Sequence, residues 1–123
     1  MMAAEEGVLK FVAEQAVQRG EGQLALFQER LAQDPVQAFS WATTAIEAAT
    51  RRQVAMDVLR MLAGRPDLGR PGRSQAEVVT RCTEQALHMA EHPNRSSSAM
   101  ANLVHECTRA AWAEFAREGR GGL

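Results

Sequence analysis

Every histidine and cysteine of this chain lies between residues 82 and 107, so any metal, acid–base or thiol chemistry has to start there. His88-Met89-Ala90-Glu91-His92 reads H-x-x-E-H, an order in which two histidines about one helical turn apart bind zinc and the glutamate activates a water. The spacing suits that chemistry, but the setting does not. On a helix whose apolar stripe runs through Val79, Cys82 and Ala86, His88 falls almost opposite the stripe and His92 is not far from it, so both rings face water. Pro93 places His92 at or past the helix end, and only 31 residues follow His92 (123 − 92) to supply a third ligand. His88, Glu91 and His92 therefore read as weak zinc candidates on a surface, and no metal or other cofactor is expected.

His105 supports a second chemistry. Helical bundles of this length are similar in size and class to histidine phosphotransfer domains, which expose one histidine in mid-helix. His105 sits about 140° from the apolar centre of its helix, which suits exposure. The neighbours depart from that pattern: such sites read His-x-x-Lys-Gly, whereas this chain reads His105-Glu106-Cys107-Thr108-Arg109, with a carboxylate beside the would-be phosphoacceptor. Cys82 and Cys107 both fall on apolar stripes, where burial would silence a thiol. They lie 12 and 13 residues from Asn94 on either side of the turn, so hairpin symmetry predicts that they face each other as two buried, reduced thiols packed against the long helix near its alanine-rich half. No Glu-x-x-His repeat, Gly-x-Ser-x-Gly or phosphate-binding Gly-x4-Gly-Lys-Ser/Thr occurs. The expectation is a protein that is not an enzyme.

The elements that position these residues are all helical. Asp34 and Pro35 form an N-cap and first-turn pair, Gly64 is a stop, and the 29 residues between Asp34 and Gly64 hold no Gly or Pro after position 35. This predicts a long central helix over about 35–63. Its first half carries one stripe of Phe39, Ala42, Ile46 and Ala49 and a second of Trp41, Ala45 and Ala48. Beyond Thr50 the apolar residues Val54, Ala55, Val58, Leu59, Met61 and Leu62 gather on another side, implying a contact face that rotates along the helix. Before it, one helix over about 3–19 ends at Gly20-Glu21-Gly22, and a short helix spans about 23–33. After it, residues 64–73 hold three Gly, two Pro and three Arg and predict a flexible loop. Ser74-Gln75-Ala76-Glu77 is a capping box opening a helix that reaches Glu91 or His92. One of Ser96, Ser97 and Ser98 caps a last helix with a stripe of Met100, Leu103, Val104, Cys107, Ala111 and Phe115, fraying by Gly119 into a disordered tail at 119–123.

Composition narrows the fold and the function together. A chain of 123 residues suits one domain, 1–123. Apolar residues make up 46%, yet there are only four Phe, two Trp and no Tyr, so the core must come from Ala, Leu, Val and Met. That is an all-α, antiparallel bundle of four main helices plus one short helix. A net charge of −1 argues against non-specific nucleic-acid binding. No apolar run reaches the length of a membrane span, and the start has no signal-peptide pattern, which points to the cytoplasm. Thirteen of fourteen basic residues are Arg, a GC-rich, bacterial bias.

What remains is a protein–protein interaction module, an adaptor, regulator or inhibitor acting through a helical surface. Self-association, as a homodimer or larger homo-oligomer, follows from alanines that offer more close-packing surface than one helix pair needs. Trp41, Ala45, Ala48, Arg52, Arg65, Arg70 and Arg73 are the interaction candidates. The alternatives are histidine-centred signalling or metal binding, and a nucleic-acid-binding accessory role for the loop arginines. For the metal, the expected outcome is that protein purified without a His-tag or metal column carries no zinc by atomic absorption. A stoichiometric ion would restore His88 and His92 as ligands.

Overall fold

The computed structural model describes residues 2–94 and 98–121 of the chain. The α-helices are α1 (Met2–Gln33), α2 (Pro35–Phe39), α3 (Ala42–Ala63), α4 (Gln75–Glu91) and α5 (Ala99–Gly121), and among the described residues there is no strand. The fold is thus all-α, with four main helices and one short one, though three boundaries differ from expectation.

The first difference is at Gly20, which does not end a helix: α1 runs unbroken for 32 residues. A Cβ at Gly20 would stand 2.9 Å from Cβ of Arg52 and 3.2 Å from the Ala48 carbonyl oxygen, so the missing side chain lets α1 and α3 touch. Glycine within a helix costs about 1 kcal/mol relative to alanine, and close packing of the two backbones offsets it. The sequence presents a stop signal; the tertiary contact makes it a notch.

The second difference divides the expected long helix. Asp34 caps as predicted, its Oδ1 accepting from the Gln37 N–H at 3.2 Å, but α2 lasts only five residues. Ser40 Oγ donates back to the Gln37 carbonyl at 2.6 Å, and the Trp41 N–H bonds Ala38, three residues back rather than four, at 2.9 Å. A serine hydroxyl that competes for a carbonyl in this way disfavours continuation of the α-helix. α3 restarts with the Ala45 N–H on the Trp41 carbonyl at 3.0 Å and stops where expected, at Gly64 with φ 68. The rotating contact face is not observed. Burial on α3 follows one side from Ala48 through Ala55 and Val58, passing the half-buried Arg51 and Arg52, while Phe39 of the other stripe is 78% exposed. Ile46, Leu59 and Leu62, expected in the core, are half-buried, and so is Asp57, expected in solvent.

The stripe tolerates its arginines because their apolar stems can pack while their charged heads reach the rim. Arg52 meets Glu21 at 3.2 Å, and Arg51 pairs with Glu114 of α5. α1 packs antiparallel on α3, and α4 on α5; the two pairs meet chiefly through α3 and α5, and α3 touches α4, the helix that follows it in the chain, only lightly. The core accordingly lies at one end of the bundle. It takes Leu9 and Ala13 from the start of α1, Val54 to Val58 from the end of α3, Val78, Val79 and Cys82 from the start of α4, and Ala111, Phe115 and Ala116 from the end of α5. Toward the other end the expected stripes of α4 and α5 come to the surface: Ala90, Met100 and Val104 are exposed. Among the described residues, no helix is long and apolar enough to cross a membrane.

Residues 64–73 form a loop with a short 3₁₀ turn at Pro66–Leu68. Ser74 caps α4 by accepting from the Glu77 N–H at 3.2 Å, and Ser98 caps α5 by accepting from the Ala101 N–H at 3.2 Å; Ser96 and Ser97 lie outside the described residues. α5 continues through Gly121 instead of fraying at Gly119, which is buried. The reason lies in the residue that follows the α4 cap. Gln75 is 2% exposed; its Oε1 accepts from the Leu9 N–H at 3.0 Å and its Nε2 donates to the Gly119 carbonyl at 3.1 Å. One side-chain amide joins α1, α4 and α5 at the core end.

Replacing that amide tests its role. A buried hydrogen bond contributes about 0.5–1.5 kcal/mol net, so Gln75→Leu, which removes two, should lower urea-unfolding stability by roughly 1–3 kcal/mol. Gln75→Glu, at a pH where its carboxyl is protonated, keeps an acceptor for Leu9 and a hydroxyl that can donate to Gly119, and should fall between; once ionised it loses that donor and buries a charge. Equal stability of the leucine variant and wild type would show that the clamp contributes nothing.

Candidate functional site

The histidines on α4 fall where helix geometry put them. His88 and His92 are exposed, their rings 4.5 Å apart between centroids and tilted by 32°. His92 Nδ1 donates to the His88 carbonyl at 2.9 Å, closing the end of α4, since a carbonyl can only accept. Glu91 is also exposed. Among the described residues no three His, Cys, Asp or Glu side chains gather as a metal would need. His105 is half-buried rather than free in solvent, and its Nε2 donates to the Met89 carbonyl at 3.2 Å, tying α5 to α4.

The cysteines do not share one environment. Cys82 is fully buried in the core, and burial pushes its thiol up to about 11. Cys107 is only half-buried and turns toward α3. Burial raises its pKa, helped by the carboxylates of Glu47 and Glu106 and opposed by a hydrogen bond with Thr50. Equal distance from a turn brings two residues level along a hairpin but does not aim them, and α5 is shared between α4 and α3. Cys107 instead lines a cleft of about 480 Å³ between α1, α3 and α5, with Gln23, Glu47, Arg51, Glu106 and Glu114 on its walls and Ala48, Ala110 and Ala111 beneath.

The seven interaction candidates separate into two places. Trp41 is exposed at the turn before α3, with the Arg30 guanidinium 4.2 Å above its ring. Ala45 is half-buried, Ala48 is buried against α1 at Gly20, and Arg52 is spent on the same α1 contact, while Ala42 is half-buried and Ala49 exposed. At the other end of α3, Arg65 grips Asp67 through two hydrogen bonds of 3.1 and 2.9 Å. That pairing holds the Asp67 carboxyl below its ordinary range. Arg70 and Arg73 are exposed and form no ion pair among the described residues.

The most exposed apolar surface lies elsewhere. Among the described residues ten large apolar side chains are exposed, and eight of them fall in residues 26–41 or 87–104, the end of the bundle that the core does not reach. Val36 is 86% and Phe39 78% exposed on α2, with Leu31 before them; Leu87, Met100 and Val104 occupy the tip of the α4–α5 hairpin. Sequence reasoning missed this grouping because it assigned Phe39, Met100 and Val104 to the core and passed over Val36. The signal present was Ser40, whose hydroxyl ends α2, and Leu87, which lies off the α4 stripe. Comparisons with protein-family models, with curated proteins and with solved structures return no match for this chain.

The split between the thiols sets a reactivity order. In native protein at pH 8, Cys107 should label first with iodoacetamide, while Cys82, with a thiolate fraction of about 10⁻³ and no exposed surface, should label only on unfolding. Peptide mapping after limited labelling reads it. Equal modification of both in the native state would mean that α4 and α5 separate readily.

Proposed function

We propose that this chain is a protein-binding module whose contact surface is the apolar end formed by α2, the end of α1 and the tip of the α4–α5 hairpin. The single observation behind it is that eight of the ten exposed large apolar residues, among those described, sit at that one end. Scattered apolar residues are ordinary on a surface, whereas a group of them on one side marks a contact with protein or membrane. Beside Trp41, one member of the group, stand Arg30, Gln33, Asp34 and Gln37, polar neighbours of the kind that rim a protein contact. A second copy of the chain is the first partner to test, because two-fold homodimers are the commonest oligomers of soluble proteins. The role that follows is that of an adaptor, regulator or inhibitor working in the cytoplasm. The histidine-centred alternative has less behind it, since His105 already spends one ring nitrogen on the Met89 carbonyl.

Sedimentation over a range of concentrations tests this with wild type and the double variant Val36→Glu, Phe39→Glu. Both residues are exposed, so the folded monomer should be as stable as that of wild type, compared at a concentration where both are dissociated. Wild type should self-associate, and the variant should dissociate at a concentration at least about tenfold higher, as expected for central apolar contacts. Wild type that stays monomeric at every concentration overturns self-association; a variant that associates as well as wild type places the contact elsewhere.

A further inference from the structure

A second surface, at the opposite end of the bundle from the apolar tips, is built from charge. Four arginines line one cleft of about 580 Å³ where α3 ends: Arg60 from the last turn of the helix, and Arg65, Arg70 and Arg73 from the loop, with Met61 and Pro71 beside them. Two carboxylates balance two of these guanidinium groups. Asp57 meets Arg60 at 3.0 Å, and Asp67 takes both hydrogen bonds of Arg65. Neither aspartate lines the cleft. Arg70 and Arg73 have no carboxylate partner among the described residues, so the cleft carries uncompensated positive charge.

The loop that carries these arginines is held in shape. Arg65 and Arg70 exchange both backbone hydrogen bonds, at 2.7 and 2.9 Å, and the Arg73 N–H bonds the Met61 carbonyl at 2.9 Å. Gly64 turns the chain at φ 68, and a Cβ there would lie 2.5 Å from backbone atoms of Pro71 and Gly72, so the loop folds back directly on the helix end. Anchoring the backbone of a binding group removes part of the ordering cost that a ligand must otherwise overcome.

We propose that this cleft binds a short chain of phosphates, as found in an organic polyphosphate such as a nucleoside triphosphate or in inorganic polyphosphate. Guanidinium groups present paired N–H donors that match phosphate oxygens, and more than one is needed to hold a chain of them. The volume is that of a small-ligand site. Beyond Arg73 the surface turns mixed: Glu77 and Glu84 of α4 stand with Arg81 on its far side. Lys10 also stands beside Arg73, again with Glu77, so outside the cleft positive and negative groups alternate, which suits a compact ligand and opposes the extended backbone of a nucleic acid.

Isothermal titration calorimetry at low salt reads the binding directly, with tripolyphosphate, ATP and a single-stranded oligonucleotide as probes. Wild type should bind tripolyphosphate with a Kd in the millimolar range or tighter. Arg70→Gln with Arg73→Gln should weaken it by about tenfold or more for each charge-assisted hydrogen bond removed. Both side chains are exposed, so the double variant should fold as wild type does, and Arg70→Lys with Arg73→Lys should recover part of the affinity by restoring charge without the fork. ATP binding no tighter than tripolyphosphate assigns the site to the phosphate chain alone; tighter ATP adds an interaction of the base with Met61 and Pro71. No heat with tripolyphosphate up to about 10 mM, undiminished binding by the glutamine variant, or an oligonucleotide that binds more tightly than tripolyphosphate would each overturn the proposal.

Discussion

The buried carboxamide of Gln75 ties together three helices with one side chain. α4 touches α1 and α3 only lightly, yet through Gln75 it accepts from the backbone of α1 at Leu9 and donates to the backbone of α5 at Gly119. A neutral amide serves where a charged group would not, because it offers a donor and an acceptor at once with no charge to desolvate. Phe115, Leu9, Val78 and Cys82 then close around this end of the bundle with side chains that need no polar partner.

From that tie follows the polarity of the molecule. Where the four helices converge, apolar residues are covered; where they end as two hairpins, the α1–α3 turn and the α4–α5 turn each keep their apolar residues in water. α3 and α4 do not pack along each other; the loop from 64 to 73 joins them while α4 packs on α5. The surface left uncovered is the proposed protein contact, and the joining loop carries the arginine cleft.

Charge is arranged by the same packing. Arg51 and Arg52 lie on the buried side of α3, and each ends at a glutamate of a neighbouring helix, Glu114 on α5 and Glu21 on α1. Such partly exposed pairs contribute little to stability, of the order of 0–1 kcal/mol each, but they fix which helix lies beside α3 at mid-length. Arg65 is neutralised within its own loop, whereas Arg70 and Arg73 are not. Similar residues a few positions apart thus serve structure in one case and remain open to a ligand in the other.

Sequence alone determined the helical class, the caps at Asp34 and Ser74, a serine cap among Ser96, Ser97 and Ser98, the stop at Gly64 and the outward histidines at 88 and 92, because caps and one-helix faces depend on residues within a turn of each other. Tertiary structure decided everything that depends on what lies across from a residue. Gly20 carries the same local preference whether it ends a helix or lets α3 approach, and only the partner helix selects between them. Ser40 in mid-pattern, Cys107 turned toward α3 rather than Cys82, and Phe39 left in water are outcomes of the same kind. Gln75 offered no pattern at all: a glutamine after a capping serine reads as solvent-facing, and it becomes the centre of the core end only when two chain segments 66 and 44 residues away bring a backbone N–H and a carbonyl to it. Local periodicity reports which side of a helix is apolar, but whether that side is covered depends on long-range packing, which no short window of sequence contains.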